Sequence, residues 1–460
     1  MANTIILLYL ILSIAIVLTL ILKFKLNAAI AMFVGALFMG IVSGNGMTAT
    51  VSTIGKGFAN TLQSIGISIG FGIMLGQLIA DAGAVQTISN ALLKTFGKDR
   101  GDYALGTSGF IVSVPVFFDV GLVIMIPLAK QLAKENTKKA LPYFVSALMC
   151  GLSFAHTFVP PTPGPITCAA IMNISLGTMI LFGILVGLPA FFISVFLYQK
   201  LVLRRKNYWN PQTDEMHDPV KEAEAQKRAD ALMRNPEKLP SLFESLFPIL
   251  LPIVLILLNT VWRAVVGVDA KGVSRVPQFI QLIGGREVAM LLGLFAAMFV
   301  CRRKDRMSSN KIADSITSAI GSCGTVLLIT GLGGSFGAVL QSTGVGTVLQ
   351  GMLESVHIPI ILFVWMLAAV LKFAQGSGTV AMITALEIAA AMTITVNPVL
   401  IALAGMSGSL MGAHVNDSGF WVTANIAGLT TKGGLKIYTV ICAIMSLVSL
   451  SLILLLRIFI

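Results

Sequence analysis

Charge is scarce in this chain. Only 11% of its 460 residues are Asp, Glu, Lys or Arg, against about 25% in an ordinary soluble domain. A water-soluble globular protein is thereby excluded. The five cysteines (Cys150, Cys168, Cys301, Cys323 and Cys442) fall mostly in apolar runs and show no metal spacing. Neither a metal site nor a disulfide framework is expected. No Gly-x4-Gly-Lys-Ser/Thr loop is present, which argues against ATP-driven work by this chain. His-Glu-x-x-His, Cys-x-x-Cys and Gly-x-Ser-x-Gly are missing too, as is an Arg-rich voltage-sensing helix. Neither an enzyme nor a cofactor is expected. Met1 to Leu22 has no basic start and no small-residue cleavage motif, so it reads as a first span and not as a removable signal.

Apolar sequence is what the chain has in excess. Hydrophobic residues make up 56% and the mean hydropathy is +0.89. Many runs approach the ~20 residues that cross a bilayer as helix. The 44 glycines suit close helix–helix approach in lipid. The net charge of +12 raises nucleic acid as a partner, but the basic residues sit between hydrophobic segments, as in positive-inside loops. The expected partner is the lipid bilayer, with no nucleic acid. The fold class is all-α integral membrane.

Spans are expected near 5–22, 26–43, 57–80, 141–175, 176–199, 246–262, 286–301, 312–340, 398–430 and 436–458. Two of these, 141–175 and 398–430, are broken by polar, Pro-rich or Gly-rich sequence. Two further segments, 104–129 and 357–392, read as re-entrant hairpins; pairs of short crossings also fit. With the N-terminus outside, 25 of the 32 lysines and arginines fall in cytoplasmic loops, as the positive-inside rule demands. Residues 94–100 and 130–139 are both basic, so the segment between them must return to the side it entered from.

An internal repeat is visible. Gly72, Gly76 and Gly83 recur as Gly333, Gly337 and Gly344 at an offset of 261, and His156 falls on His414 at an offset of 258. The order of elements repeats as well. Five crossings per half is an odd number, so the second half must be inverted. The expected organisation is a first repeat at 1–199, a cytoplasmic linker at 200–245, partly helical around 219–234, and a second repeat at 246–460. Inverted repeats with broken helices at the midplane are a recurring plan of secondary transporters.

Four segments carry polar chemistry at membrane depth. The first hairpin contains Ser113-Val-Pro115-Val-Phe-Phe118-Asp119-Val-Gly121. Asp119 admits two readings, a proton or cation site and a helix cap. The second hairpin contains Gln375-Gly376-Ser377-Gly378-Thr379. A helix starting there would aim its N–H groups at an anion; a plain turn is the other reading. The first break holds His156, Thr157 and Pro160-Pro161-Thr162-Pro163-Gly164-Pro165. The second holds His414-Val-Asn416-Asp417-Ser418-Gly419-Phe420. A histidine titrates near neutrality and can carry a proton. Glu387 is a further intramembrane acid, a proton-relay member or a partner of Lys372.

Three of these motifs together, Phe117-Phe-Asp119-Val-Gly121, Pro160-Pro-x-Pro-Gly-Pro165 and His414-Val-Asn-Asp-Ser-Gly-Phe-Trp421, closely resemble the gluconate permease family, the gluconate:proton symporters. The resemblance runs from Phe24-Lys-Leu-Asn27 to the last span. It implies two inverted repeats within the ion-transporter superfamily, a homodimer, and a substrate domain that moves like an elevator in a bacterial cytoplasmic membrane. One position departs: Thr162 stands where such permeases often carry histidine. Other relatives look like carriers of different small hydroxy acids or of D-serine.

The expected function is proton-coupled uptake of gluconate or a related small carboxylate. Glycerate, threonate and D-serine are alternative substrates, sodium is an alternative coupling ion, and passive anion flux is an alternative mechanism. Expected substrate contacts are Ser113, Phe118, His156, Thr157, Thr162, Gly164, Gln375, Gly376, Ser377, Gly378, Thr379, His414, Asn416 and Ser418. Expected proton carriers are Asp119, Asp417, His156 and Glu387.

Overall fold

The computed structural model describes residues 2–460 except 25, 137, 217–238, 267–275, 357, 393 and 416. The described residues form helices joined by short turns; their one β contact is an isolated bridge between Glu215 and Leu429. Six stretches are long and apolar enough to cross a membrane: Met47–Asp81, Leu141–Ile171, Leu176–Leu203, Leu242–Arg263, Ser309–Ser342 and Thr431–Leu456. Ile5–Ile21 and Ala28–Val42 are shorter apolar helices.

Eighteen of the helices carry the argument. The first half holds α1 (Ala2–Leu22), α2 (Ala28–Val42), α3 (Met47–Asp81), α4 (Ala84–Phe96), α5 (Gly101–Ser113), α6 (Phe118–Glu135), α7 (Leu141–Phe158), α8 (Pro163–Ile171) and α9 (Leu176–Leu197). The second holds α10 (Leu242–Val266), α11 (Arg286–Arg302), α12 (Ser309–Ser342), α13 (Val345–Val356), α14 (Ile360–Gln375), α15 (Gly378–Ala390), α16 (Pro398–Gly408), α17 (Ser418–Ala427) and α18 (Val440–Leu456). The halves repeat one order: two helices, a very long helix, a short amphipathic helix, a hairpin, a broken helix and a last span. The hairpins are α5–α6 and α14–α15. The broken helices are α7–α8, open over 159–162, and α16–α17, open over 409–417.

The long helices α3 and α12 lie side by side and antiparallel. Gly57 meets Gly334 and Ala338, Gly66 meets Leu327, and Gly70 meets Cys323. Gly66 and Leu327 are separated by 261 residues, the repeat offset, so equivalent residues touch. A pseudo-twofold axis requires that contact, and the antiparallel course is the inversion itself.

The repeated glycines have one job in both halves. A Cβ on Gly76 would run into the carbonyl of Pro115 at the first hairpin tip, and one on Gly72 would meet the Pro161 carbonyl at 3.4 Å. In the second half a Cβ on Gly333 would strike Ile383, and one on Gly337 would strike the Glu387 carboxylate. Bare backbone on α3 and α12 thus lets hairpin and break approach closely. Gly83 and Gly344, at φ +85 and +71, turn the chain from each long helix into α4 and α13. Those amphipathic helices lie between the expected span and hairpin of each half. At 13 and 12 residues they are too short to span.

The last span of the first half runs on as π-helix through Leu203, so 200–203 belongs to it and not to the connector. The described start of the connector is docked. Lys436 Nζ lies 2.7 Å from the buried Asp214 carboxylate, and the Asn210 N–H donates to the same oxygen at 2.8 Å. Tyr198 and Tyr208 both donate to the Lys436 carbonyl, at 2.7 and 2.8 Å. The expected helix around 219–234 lies outside the described residues.

Two predictions follow from this packing. Gly76→Ala forces the hairpin tip off α3 and should destabilise the protein by about 1–3 kcal/mol, the usual cost of overpacking. Gly321→Ala has open space around it and should leave the melting temperature in detergent unchanged. Equal melting of the two variants would contradict the close approach. The second prediction concerns Asp214. Burial pushes its carboxyl up, but Lys436, the Asn210 N–H and Lys432 together hold it below the usual carboxylate value. A lowered native value stabilises docking above about pH 4 and loses that contribution as pH falls through it. Hydrogen-exchange protection of 207–216, corrected for intrinsic rates, should fall on acidification. Asp214→Asn should remove the pH step; a step that persists in that variant would assign it elsewhere.

Candidate functional site

Four half-helices begin at the centre of the bundle. The hairpins contribute the starts of α6 and α15, and the broken helices contribute those of α8 and α17. Side chains cap two of them. Ser377 Oγ accepts from the Val380 N–H at 3.3 Å, and Asp417 Oδ1 accepts from the Gly419 N–H at 2.9 Å. Among the described side chains none caps the starts of α6 and α8; that of Asp119 lies outside them. The α6 start offers N–H donors and a positive dipole end, whereas Pro163 and Pro165 leave Gly164 as the one N–H donor among the first three residues of α8.

A cavity of about 350 Å³ opens between the starts of α6, α15 and α17, while the start of α8 borders a smaller one through Pro163. Phe117 and Phe118 line it from the first hairpin, and Ser153, His156 and Thr157 from the last turns of α7. Lys372, Gly376, Ser377, Gly378, Thr379 and Met382 line it from the second hairpin. Ser409, Leu410, Ala413, Asp417 and Gly419 come from the second break, and Tyr438 and Cys442 from the last span. Both repeats therefore build one site. Gly419 marks a tight junction of the two, because a Cβ there would meet Tyr438 and Phe118 within 3 Å.

The charged centre is an ion pair. Lys372 Nζ lies 2.5 Å from Asp417 Oδ2 and 2.6 Å from the Gly376 carbonyl. Tyr438 donates to the same Asp417 oxygen at 3.0 Å. Gly376 adopts φ +80, a left-handed turn that brings its carbonyl back over the last turn of α14. One carboxylate thus ties together a hairpin, a helix start and the last span. On the first-half side of the cavity, the His156 ring packs tilted against Phe117 and Phe118, with centroids 6.4 Å from each. Its Nδ1 is buried without a hydrogen-bond partner in the protein. His156 also borders a second cavity of about 130 Å³, shared with Phe117, Ser377 and Thr379 and closed by Val326 and Ile329 of α12.

Of the residues picked from sequence, Phe118, His156, Thr157, Gly376, Ser377, Gly378, Thr379 and Asp417 line the main cavity. Others stand back from it. Ser113 is fully buried and donates to the Val116 carbonyl at 3.4 Å, closing the hairpin tip on itself. Thr162 donates to Val159 at 2.8 Å within the break. Gly164 faces the Met382 sulfur, so it touches the back of a lining side chain. His414 Nε2 pairs with the Phe373 carbonyl at 3.0 Å, and its ring packs on Phe373 at 4.6 Å. His156 and His414 are not structural equivalents: the first is helical and the second lies in unwound chain. Glu387 sits against Gly337 on the seam between α15 and α12, away from the cavity wall, and Lys372 pairs with Asp417 in its place. Asn416 lies outside the described residues, as do the side chains of Asp119, Gln375 and Ser418.

Sequence reasoning passed over Lys372 and Tyr438 as site residues. The signal for Lys372 was there: an intramembrane cation is by default a functional residue with a partner to be found. The nearest acid in sequence, Glu387, masked the true partner 45 residues away.

Inverted repeats, paired hairpins and paired breaks around a buried polar cavity define a multi-pass membrane transporter and not an enzyme. The GntP family permease model matches residues 5–459, and the chain belongs to that family. It is 32% identical over 440 residues to the high-affinity gluconate transporter of Escherichia coli K12, covering 95% of this chain and 96% of that protein. It is 30% identical over 440 residues to the Gnt-II system L-idonate transporter of the same organism, covering 95% and 96%. The crystal structure of the Alcanivorax borkumensis YdaH transporter, described as having an unusual topology, superimposes with a TM-score of 0.60 at 14% identity, covering 90% of this chain and 89% of that one. That likeness is one of fold alone.

Ser377→Ala and Thr379→Val should each raise the apparent KM for the transported solute about 2- to 10-fold, the effect of one lost hydrogen bond of about 0.5–1.5 kcal/mol. Initial uptake rates across substrate concentrations measure this. An unchanged KM in both variants would remove the second hairpin tip from the binding surface.

Proposed function

We propose that this chain is a secondary active transporter that takes up gluconate or a related small hydroxy-carboxylate together with protons. The observation that carries the reading is a cavity of about 350 Å³ holding a charge-balanced Lys372–Asp417 ion pair among helix starts. That volume is at the small end of the roughly 300–1,000 Å³ of ligand sites. The hydroxyls of Ser153, Thr157, Ser377, Thr379 and Ser409 on its wall suit sugar hydroxyls, and helix starts suit a carboxylate. The names of the two E. coli relatives, gluconate and L-idonate transporters, support the same substrate class. A proton carried with the anion cancels its charge, which lowers the electrostatic cost of moving it through lipid.

The movement is of elevator type in this proposal. Each hairpin is packed tightly on its broken helix: Gly106 and Gly151 bring α5 onto α7, and Gly408 brings α16 onto α14. The bare glycine faces of α3 and α12 offer the opposing surface, and the smaller cavity lies on that seam. The proposed setting is a bacterial cytoplasmic membrane, with the N-terminus outside, the 200–245 connector cytoplasmic and two copies forming the transporter.

Glycerate, threonate and D-serine are carried as the second reading. It rests on the family resemblance alone, since Thr162 turns its hydroxyl to the Val159 carbonyl and does not line the cavity.

Uptake of labelled gluconate into proteoliposomes with an imposed inward proton gradient tests the proposal. Accumulation above equilibrium that collapses with a protonophore is the expected result. Accumulation driven by sodium and indifferent to pH would defeat the proton coupling. Flux without accumulation would make the protein a passive facilitator.

A further inference from the structure

Resting on the carboxylate-transport reading above, we infer that Lys372 is the receptor for the substrate carboxylate and that Asp417 is its placeholder in the empty cavity. The geometry gives the reason. Lys372 is a cation on the cavity wall, yet its ammonium is engaged by Asp417 at 2.5 Å and by the Gly376 carbonyl at 2.6 Å. An incoming carboxylate must share or replace those contacts to use the charge. Asp417 is the replaceable one, because its other oxygen is independently anchored on the Gly419 N–H. Released from lysine, the Asp417 side chain keeps its place as the cap of α17.

Charge conservation then couples the proton to the acid. The empty site holds one ammonium and one carboxylate, net zero. Adding an anion alone leaves a net negative charge among buried side chains, which is costly. Adding an anion and placing a proton on Asp417 restores net zero: an ammonium, a neutral carboxylic acid and the substrate carboxylate. No covalent bond to carbon is made or broken. One proton moves from water to the Asp417 carboxylate on loading and returns to water on release, when the re-formed carboxylate reclaims Lys372 and displaces the substrate. One monocarboxylate therefore travels with one proton.

The groups around Asp417 set the terms of that exchange. Lys372 faces it from α14, Tyr438 from the π turn before α18, and Cys442 from α18. His156 lies on the first-half side of the cavity, on α7. His414, three residues upstream on the same loop, is turned away onto the Phe373 carbonyl. The Asp119 side chain on α6 lies outside the described residues. Tyr438 donates to the same Asp417 oxygen as Lys372, so it is placed to steady Asp417 when the lysine leaves.

The test separates exchange from accumulation. Gluconate, glycerate, threonate and lactate are offered to purified wild-type, Asp417→Asn and Lys372→Met/Asp417→Asn proteins in liposomes. Asparagine keeps the cap on α17, and the double variant avoids leaving a buried unpaired charge. Asp417→Asn should retain counterflow exchange, with a KM that no longer varies between about pH 6 and 8, while its pH-driven accumulation ratio falls to about one. The double variant should bind the same acid at least about tenfold more weakly than Asp417→Asn, the loss of a charge-assisted hydrogen bond. If Asp417→Asn accumulates like wild type, or loses exchange while still folded by thermal melting, Asp417 is not the placeholder. If the double variant binds as tightly as Asp417→Asn, Lys372 is not the receptor. A wild-type protein that exchanges none of the four acids overturns the substrate reading and this inference together. One that exchanges them while the variants fail as stated overturns the inference alone.

Discussion

A lysine and an aspartate meet at 2.5 Å in the middle of a chain that carries almost no other charge at that depth. Everything around them serves to make that contact tolerable. Two charges cost several kcal/mol to take out of water unless each finds a partner and further hydrogen bonds. Here the Gly376 carbonyl, the Gly419 N–H and the Tyr438 hydroxyl complete the set. Those groups come from a hairpin tip, a half-helix start and a π turn, three places where backbone or side chain departs from regular helix. Such departures survive at membrane depth only when protein surrounds them or a wet cavity adjoins them. The ion pair therefore depends on the inverted architecture, since it takes both halves to enclose it.

Enclosure comes from glycine. The long helices α3 and α12 are the frame, and they cross at residues related by the repeat. Their glycines admit the backbone of one hairpin tip and the Ile383 and Glu387 side chains on an arm of the other. A larger residue there would hold the half-helix ends apart and open the cavity to lipid. In the same way Gly419 lets Phe118 of the first half and Tyr438 of the second close on α17. Substrate-sized volume in this protein is what remains after glycine-mediated contacts have brought the four helix starts together.

Much of this was legible one residue at a time. Runs of apolar residues, basic loops and the offset of 261 between glycine triplets specified two inverted halves. Prolines at 160–165 and the polar run 414–420 marked the breaks, and Ser377 to Thr379 marked a tip that does line the cavity. Pairings were less legible. Glu387 looked like a site acid because any buried carboxylate does, yet it lies against Gly337 on a helix seam. Lys372 looked isolated because its partner is far along the chain. Ser113 and Thr162 have suitable chemistry but spend it on local carbonyls. The amphipathic helices α4 and α13 escaped a search tuned to spanning lengths.

The amino-acid sequence alone determined the membrane setting, the repeat, the family and the places where helices must stop, because hydropathy, proline and glycine act locally and need no partner to be read. Tertiary structure decided which polar groups share a cavity. Whether a buried histidine, serine or acid faces substrate space or a neighbouring carbonyl depends on the rotation and crossing of helices far apart in sequence. Lys372 meets Asp417 because a left-handed turn at Gly376 and the cap of α17 arrive at the same point. No spacing along the chain encodes that meeting.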